Sequence, residues 1–329
     1  MKKCERIESV TAHAPATVAN VGSAFDAIGF AVHNLGDTVT ASLSEANLIQ
    51  IRSIEGDTNQ LSKDTKKNTA SVATHALLCA LGMETQGITL DIHKGLPIGS
   101  GLGSSSASAA AAVVAVNELL GKPFSRHQLV PFAMEGERIA CGTAHADNVA
   151  PAILGGFTLI RNTEPLEIIE LPSPTDIFVS IVVPNIELRT SDARKVLRDT
   201  ISLRSATHQW ANVAGLVAGL YQGDLNLIGR SIEDVIIEPQ RSKLIPGFYD
   251  VQQAALQRGA LGCSISGAGP SLFALSDSNQ RAQDIGRAMA AEWNNHGIKA
   301  EYMVSQINTD GATLVPSPVS AEQTTTAAL

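Results

Sequence analysis

The spacing of hydrophobic and polar positions predicts a chain in which strands and helices alternate. Apolar residues recur at every second position over 11–20 and 88–93, which is typical of half-buried strands. A run at 177–183 that is apolar apart from Ser180 ends at Pro184 and indicates a buried strand. The same criteria predict further strands at 157–160 and 272–275, and helices at 108–120, 126–140, 191–203, 210–221 and 282–294.

The predicted elements fall into two blocks. A proline-rich stretch at 162–175 separates the blocks and is the candidate boundary between them. We therefore expect two domains, over residues 1–168 and 169–315. Residues 316–329 are rich in Thr, Ala and Ser, and we expect them to form a flexible tail.

Length and composition narrow the class of protein. The chain has 329 residues, of which 44% are hydrophobic and 17% charged, so it has enough apolar material for about two folded domains. The net charge of −8 argues against a broad basic surface for nucleic acid. A few backbone amides and two arginines are still able to bind a small anion locally.

The cysteines and the apolar segments indicate a cytoplasmic protein. Cys4, Cys79, Cys141 and Cys263 are scattered, without the spacing of a zinc site or a disulfide framework. No apolar run follows the basic residues at the start of the chain, so no signal peptide is predicted. The longest apolar stretch, 107–116, is too short to span a bilayer.

A glycine-rich loop that runs into an alanine-rich helix is the strongest functional signal. Gly99, Gly101 and Gly103 alternate, and three serines follow at 104–106, each able to cap a helix. Such a loop directs free N–H groups and the positive end of a helix dipole at one point, which suits phosphate. It is neither a Walker A motif nor a dinucleotide fingerprint, and the alternative is a tight strand-to-helix connection without a ligand. The residues predicted to cradle phosphate are Pro97, Ile98, Gly99, Ser100, Gly101, Leu102, Gly103, Ser104, Ser105, Ser106 and Ala107.

Carboxylates and an amide near other turns are further candidates. Asn20 and Asp26 flank a glycine, where an ordinary Asx turn is the alternative to a ligand site. Glu137, on a predicted helix, is of the type that holds Mg²⁺ beside phosphates, or is simply a solvated helix residue. Asp147 is a second candidate for Mg²⁺, or alternatively a general base.

Two arginines are candidates for binding a carboxylate. Thr190 and Arg194 lie four residues apart and therefore share one helix face. Together with Arg241, Arg194 is able to bind a carboxylate through paired hydrogen bonds. A surface position is the commoner fate of any single arginine.

In combination, these motifs resemble the GHMP kinases. The loop is similar to the signature P-x-G-x-G-L-G-S-S of that group, and segments 15–26 and 262–271 are similar to its other two motifs, in the expected order. Four stretches resemble the homoserine kinases within the group: A-N-x-G-x-x-F-D at 19–26, H-A-D-N-V-A-P-A-I-x-G-G at 145–156, T-x-x-x-R at 190–194 and E-P-x-R-x-K-L-I-P-G at 238–247. Ser23-Ala24 stands where the family often has Pro-Gly, and Ala268 stands within a turn where the family typically has Ser.

The resemblance implies a fold and a reaction. The implied fold is α+β, with a domain like ribosomal protein S5 domain 2 followed by a ferredoxin-like domain and the active site in the cleft between them. The implied reaction is transfer of phosphate from ATP to the hydroxyl of L-homoserine with Mg²⁺, which gives O-phospho-L-homoserine on the route to threonine. A cytoplasmic enzyme and a possible homodimer are implied as well, with neither nucleic acid nor membrane as a partner.

The resemblance also implies roles for single residues. Asn20 and Asp26 would meet the substrate ammonium, and Arg194 and Arg241 its carboxylate. The substrate or its hydroxyl would lie near His145, Asn148, Thr190 and Gly267. Ser105 (or Ser104) and Glu137 would hold Mg²⁺. The residues implied in catalysis are Asn148, Asp147 and Arg194. Asp147 would act as a base or only orient its neighbours, and we favour loss of the hydroxyl proton without a protein base.

Two other functions are considered. Mevalonate and shikimate each carry a carboxylate but no amine. A GHMP kinase for either substrate would therefore have no ammonium group for Asp26 to bind. A non-catalytic metabolite sensor on the same fold would be free to lose Glu137 or the loop glycines, and all of these are present.

Overall fold

Two β-sheets organise the part of the chain that the computed structural model describes, which is residues 8–57, 59–142 and 145–316. The strands are β1 (Ser9–Ala19), β2 (Ile28–Leu43), β3 (Ile49–Glu55), β4 (Ile88–His93), β5 (Phe157–Thr163), β6 (Leu166–Leu171), β7 (Phe178–Pro184), β8 (Gly262–Ile265), β9 (Leu272–Ser276), β10 (Ala300–Gln306) and β11 (Thr313–Val315). The helices are α1 (Thr69–Ala80), α2 (Ser104–Leu119), α3 (Arg126–Cys141), α4 (Ala146–Leu154), α5 (Thr190–Lys195), α6 (Leu203–Gln222), α7 (Leu225–Ser231), α8 (Glu238–Arg241), α9 (Phe248–Gln257) and α10 (Asn279–Asn295).

The first sheet carries the helix that follows the glycine loop. Its strand order is β11-β1-β2-β4-β3, and β5 joins it through β2 and β6 through β5. Helix α2 packs directly on β1 and β2. Its alanines at 109–112 are fully buried, and such small side chains let the helix backbone approach the sheet closely.

The second sheet has the order β10-β7-β9-β8 with all strands antiparallel, as in a ferredoxin-like fold. Helices α9 and α10 cover one face, where Trp293 and Phe248 are buried. The other face adds Phe273 to the core of the first sheet, with its ring centroid 5.8 Å from that of Phe30. This shared core holds the two sheets together, and the arrangement confirms the predicted α+β fold with two parts.

Most of the predicted elements are confirmed, with one helix wrong. The strands predicted at 11–20, 88–93, 157–160, 177–183 and 272–275 correspond to β1, β4, β5, β7 and β9. The helix predicted at 191–203 is instead α5, which ends at Lys195, followed by the start of α6 at Leu203. Ser202 caps α6 by accepting a hydrogen bond from the backbone N–H of Ser205, so a new helix begins where one continuous helix was predicted.

The pairing of strands within the first sheet indicates where the boundary between the two parts of the chain lies. A division after residue 168 falls inside β6, which pairs with β5 of the first sheet. The final strand β11 returns to pair with β1, and Arg126 donates hydrogen bonds to the carbonyls of Ile153 and Ala312 beside it. We propose a division within 172–177, with 313–315 belonging to the first part. The expected tail lies outside the described residues, apart from residue 316.

The described ranges contain no helix that is both long and apolar enough to cross a membrane. Cys79 and Cys263 are free thiols. Cys4 and the side chain of Cys141 lie outside what the structure describes.

Gly136 is a point where α3 approaches α1 and α2 closely, and replacing it with Ala tests that packing. A Cβ at Gly136 would lie 2.6 Å from the Thr69 carbonyl oxygen and 3.1 Å from the Ala109 Cβ. We expect Gly136→Ala to lower the free energy of unfolding by about 1–3 kcal/mol despite its better helix propensity, because the backbone must shift. Urea unfolding measures this. Glu135→Ala, on the exposed side of the same helix, should change stability by less than about 1 kcal/mol. Equal stability of Gly136→Ala and the parent would contradict the close packing.

Candidate active site

A cleft of about 400 Å³ collects the motifs that the sequence singled out. It is lined by the turn after β1, the loop between β4 and α2, α3, the starts of α4 and α5, α8, and the turn between β8 and β9. The sequence-predicted residues outside the loop that line it are Asn20, Asp26, Glu137, His145, Asp147, Asn148, Thr190, Arg194, Arg241 and Gly267. Residues from both parts of the chain thus share one cavity.

Two glycines of the loop lie very close to neighbouring oxygen atoms. Gly101 has φ +81°, and a Cβ there would lie 2.5 Å from the Ser266 carbonyl oxygen. Gly103 has φ +68°, and a Cβ there would lie 2.1 Å from the Thr17 Oγ1. Only glycine fits both conditions. Ser266 also donates its hydroxyl to the Gly101 carbonyl at 2.8 Å, which ties the loop to the turn between β8 and β9.

The first turn of α2 offers backbone amides to the cleft. Gly103, and none of the three serines able to cap a helix, occupies the capping position of α2, and it provides no side-chain capping hydrogen bond. Ser104, Ser105 and Ser106 line the cleft instead. An uncapped helix start in a cavity is a suitable site for an anion such as phosphate.

Eight of the eleven predicted loop residues line the cleft, and Pro97, Leu102 and Ala107 do not. The side chains of Leu102 and Ala107 are fully buried in the core. These three residues shape the loop, and their side chains lie away from the cavity.

A buried ion pair that sequence reasoning missed lies beneath the loop. Lys94 pairs with Asp37, and its ammonium also donates to the Ser104 carbonyl at 2.7 Å and the Ser108 hydroxyl at 2.9 Å. Burial is the main influence on Lys94 and lowers the pKa of its ammonium. Asp37 in turn accepts from the Gly95 N–H at 3.0 Å. Local sequence holds no sign of this contact, because Asp37 lies on β2 and Lys94 directly follows β4.

Asp26 and Arg194 face each other across the cleft. Arg194 Nη2 donates to both carboxylate oxygens of Asp26, at 2.7 and 2.9 Å. Both side chains remain about one-third exposed, at 32% and 30%. The pair therefore presents an anion and a cation side by side to anything that enters the cavity.

Asn20 bridges the two parts of the chain. Its side-chain oxygen accepts from the Asp26 N–H at 3.0 Å, and its amide donates to the Gly267 carbonyl at 2.6 Å. The first contact spans six residues and is therefore not an Asx turn, in which a side chain bonds to the backbone two residues on. Asn20 thus positions Asp26 and Gly267 while itself lining the cavity.

Arg241 is buried, and Phe25 packs against it. The guanidinium donates to the carbonyls of Gly267 at 2.9 Å and Ala193 at 3.3 Å. Burial lowers the pKa of Arg241 to about 10, so it stays cationic at neutral pH. The Phe25 ring centroid lies 4.9 Å from the Arg241 Cζ and 5.3 Å from the Arg194 Cζ, so one ring supports both cations. Phe25 was missed as a site residue, although it stands in the motif at 19–26.

The start of α4 adds His145, Asp147 and Asn148. His145 Nδ1 lies 3.8 Å from the Asp26 carboxylate, and burial lowers the pKa of His145 despite this neighbour. Burial, with smaller contributions from Asp26 and Glu137, raises the pKa of Asp147 to about 7. Asn148 accepts a hydrogen bond from the Thr17 hydroxyl at 2.7 Å, which fixes its side chain.

The donor groups in the cleft suit Mg²⁺. Glu137, buried on α3, and Ser105, at the start of α2, both line the cavity. One carboxylate and one hydroxyl match an ion that keeps several waters and takes phosphate oxygens. Across the described ranges, no group of three or more His, Cys, Asp or Glu side chains is placed to hold a metal. A magnesium ion here would take its remaining ligands from phosphate and water.

Two family profiles match the chain. The profile described as "GHMP kinases N terminal domain" matches residues 68–156. The profile described as "GHMP kinases C terminal" matches residues 216–295. Each part of the chain therefore matches the corresponding half of a GHMP kinase.

Individual relatives narrow the family further. A homoserine kinase of Chlorobium phaeovibrioides is 49% identical over 320 residues, which cover 94% of this chain and 100% of that protein. The homoserine kinase of Arabidopsis thaliana is 45% identical over 318 residues, covering 94% and 85%. The crystal structure of a homoserine kinase from Cytophaga hutchinsonii superposes with a TM-score of 0.92 at 50% identity, over 96% and 100% of the two chains. An L. major mevalonate kinase at 18% identity, with 90% and 95% covered, shares only the fold, at a TM-score of 0.68. The chain belongs to the homoserine kinase family of the GHMP kinases.

Proposed function

We propose that the protein transfers the γ-phosphoryl group of ATP to the side-chain hydroxyl of L-homoserine, a step toward threonine. The observation that carries this proposal is the Asp26–Arg194 pair, which lies in the same cavity as the uncapped start of α2. The names and high identity of the relatives support the same reaction.

Homoserine is a zwitterion, and the Asp26–Arg194 pair has the complementary charges. The Asp26 carboxylate binds the substrate ammonium, while Arg194 and Arg241 bind the substrate carboxylate through charge-assisted hydrogen bonds. Their partial exposure leaves Asp26 and Arg194 accessible to the substrate, whereas Arg241 is held by backbone carbonyls. Substrate binding then replaces the Asp26–Arg194 ion pair with two others, one between Asp26 and the substrate ammonium and one between Arg194 and the substrate carboxylate, with little movement of the chain.

The loop and the first turn of α2 bind the phosphates of ATP. Their backbone N–H groups are directed by the glycine conformations, and the helix dipole favours negative charge at this point. Glu137 and Ser105 hold Mg²⁺. When bound, Mg²⁺ offsets the negative charge of the transferred phosphoryl group.

The acceptor hydroxyl lies near His145, Asn148 and Thr190, which share the cavity with both binding regions. In-line phosphoryl transfer depends mainly on positioning and charge stabilisation. We infer that Asn148 orients the hydroxyl and that Asp147 holds the first turn of α4 in place. The hydroxyl proton passes to a phosphoryl oxygen or to water during or after transfer, without a protein base.

Mevalonate and shikimate are disfavoured as substrates because neither carries an amine to meet Asp26. A non-catalytic sensor is disfavoured because Glu137 and the loop serines line the cavity together. The cytoplasmic location and the homodimer implied by the resemblance stay predictions.

A panel of acceptor substrates tests the reaction. ADP release with homoserine, mevalonate, shikimate and galactose should be substantial for homoserine alone.

Substituting Asp26 tests how the substrate is bound. Asp26→Asn should lower kcat/KM for homoserine about 100-fold or more, equivalent to about 3 kcal/mol, because the ammonium loses its counter-charge. ATP affinity, measured by calorimetry, should change less than about threefold because the contacts of Asp26 are with Arg194, Asn20 and His145 and not with the loop at 97–107. Equal and mild effects on both ligands would contradict the assignment of Asp26.

Substituting Phe25 tests whether its ring supports the two arginines. Phe25→Leu keeps apolar bulk but removes the π face, so the KM for homoserine should rise about 5- to 30-fold while kcat changes less than about threefold. Phe25→Tyr keeps the π face and serves as the matched control, with a KM near that of the parent. A Phe25→Tyr variant as impaired as Phe25→Leu would show that ring electrostatics are not involved.

Asp147→Asn separates a catalytic base from a structural carboxyl. A general base contributes about 10²–10⁴-fold to rate, so a loss of kcat below about tenfold is expected if Asp147 only holds α4. A loss of 100-fold or more, with normal folding, would identify Asp147 as the base.

The same variant has an expected effect on stability against pH. The folded chain holds the Asp147 proton up to about pH 7, whereas an unfolded aspartate loses it near pH 4. Its contribution to stability is therefore complete below about pH 4 and is lost as the pH rises to about 7. Relative to the parent, Asp147→Asn should gain about 2–3 kcal/mol in free energy of unfolding between pH 5 and pH 8. Asp284→Asn, at the surface, serves as the control and should show no such trend. A pH-independent difference between Asp147→Asn and the parent would show that burial does not raise this pKa.

A further inference from the structure

Gln209, on α6, is a buried polar side chain that lies outside the lining of the cleft. Its amide nitrogen donates to the Ser23 carbonyl at 2.8 Å and to the Asp234 carboxylate at 2.9 Å, and its amide oxygen accepts from the Val235 N–H at 3.0 Å. Both N–H donors of the amide are therefore engaged. Ser23 belongs to the first part of the chain and Asp234 to the second, so this one side chain joins the two parts.

Asp234, also buried outside the cleft lining, extends this connection to the helix that carries Arg241. Its carboxylate accepts from the backbone N–H groups of Ile236 and Ile237 at 2.9 Å and of Glu238 at 2.8 Å. These N–H groups lie at the start of α8, where the helix has no carbonyl partners for them. Asp234 therefore fixes the place at which α8 begins, and Arg241 is the last residue of that short helix.

The turn after β1 packs against the segment that leads into α8. The Ser23 hydroxyl donates to the Ser231 carbonyl at 2.8 Å. At Gly22, a Cβ would lie 1.8 Å from the Ile232 carbonyl oxygen, so the two backbones are in direct contact. Asp26 follows in the same turn, and its position is therefore tied to the start of α8.

We propose that Gln209 and Asp234 are positioning residues that set the distance between Asp26 and Arg241. This rests on the proposed function, in which Asp26 binds the substrate ammonium and Arg241 helps to bind the substrate carboxylate. An α-amino acid carries these two groups on one carbon atom, so their separation is nearly fixed and the substrate is unable to adapt to a change in the site. The distance between Asp26 and Arg241 thus decides how well both ends bind at once.

The hydrogen bonds at the cavity surface fix only the guanidinium of Arg241. It donates to the carbonyls of Gly267 and Ala193. Because an arginine side chain has many rotamers, contacts of its far end do not by themselves set the position of its backbone. The contacts of Gln209 and Asp234 hold the backbone of α8 at a second point, behind the cavity. Both ends of the Arg241 side chain are thereby fixed relative to the turn after β1.

Gln209→Met tests the proposal, because methionine has a similar size and makes none of the three hydrogen bonds. Burial lowers the pKa of Arg241, and the charge of Asp234 is one of the influences that raise it, so a variant that keeps Asp234 separates position from charge. The KM for homoserine should rise about 10- to 100-fold, whereas kcat and the ATP affinity measured by calorimetry should change less than about fivefold. Asn212→Ala is the matched control, since Asn212 also lies on α6 and donates to the neighbouring Glu233 carbonyl at 2.9 Å. Its KM should change less than about threefold.

Analogues that carry one or both charged groups show whether the distance has changed. L-2-aminobutyrate carries both groups but no hydroxyl, propylamine carries only the ammonium, and butyrate carries only the carboxylate. As competitive inhibitors against homoserine, L-2-aminobutyrate should bind Gln209→Met about 10-fold or more weakly than the parent. Propylamine and butyrate should each weaken by less than about threefold, because each needs only one end of the site. A general structural defect would weaken all three equally.

Asp234→Asn is a second variant for the same measurements and should show the same pattern, because its amide nitrogen is unable to accept from the Glu238 N–H. An unchanged KM for homoserine in both variants, equal weakening of the three inhibitors, or loss of ATP affinity in both variants would each overturn the proposal. A parent protein that releases no ADP with homoserine would instead contradict the proposed function. An active parent with unaffected variants would contradict the positioning role alone.

Discussion

The ion pair between Lys94 and Asp37 is the interaction on which the active cleft depends. Both side chains are almost completely buried, and Asp37 also accepts hydrogen bonds from Ser108 and from the backbone before the loop. The pair thereby joins β2, the end of β4 and the start of α2. Removal of one partner from such a pair leaves an uncompensated buried charge, which typically costs about 3–5 kcal/mol.

In this arrangement, different groups of the cleft provide the attraction for phosphate and the attraction for a carboxylate. The charge of Lys94 is neutralised by Asp37, so the attraction of the loop for phosphate comes from backbone amides and the dipole of α2. Other positive charge in the cavity lies at Arg194 and the buried Arg241, which the ring of Phe25 supports, and at Lys67 and Arg189. In the proposed mode of binding, the carboxylate of the amino acid meets the arginines and the triphosphate meets the loop amides, so neither has to displace the other.

The sequence predicts the strands well because their period-two patterns are local, as in β1 and β4. It fails where a local capping contact divides a helix, as at Ser202, and it does not settle which residue caps α2, which is Gly103. Candidate site residues within the family motifs, such as Asp26, were predictable from the sequence because those motifs are specific. The contact between Lys94 and Asp37 was not predictable, since 57 residues separate the partners and their burial is decided by the packing of the whole sheet.

The return of β11 to the first sheet has a consequence for biosynthesis. Until that last strand is made, β1 keeps one edge unpaired along residues 11–13, and the Arg126 guanidinium lacks the Ala312 carbonyl. An unpaired edge invites association with other chains. Because a ribosome makes the chain from its N-terminus onward, the strands up to β6 cannot complete the first sheet on their own, and β1 gains this partner only after β11 has been made.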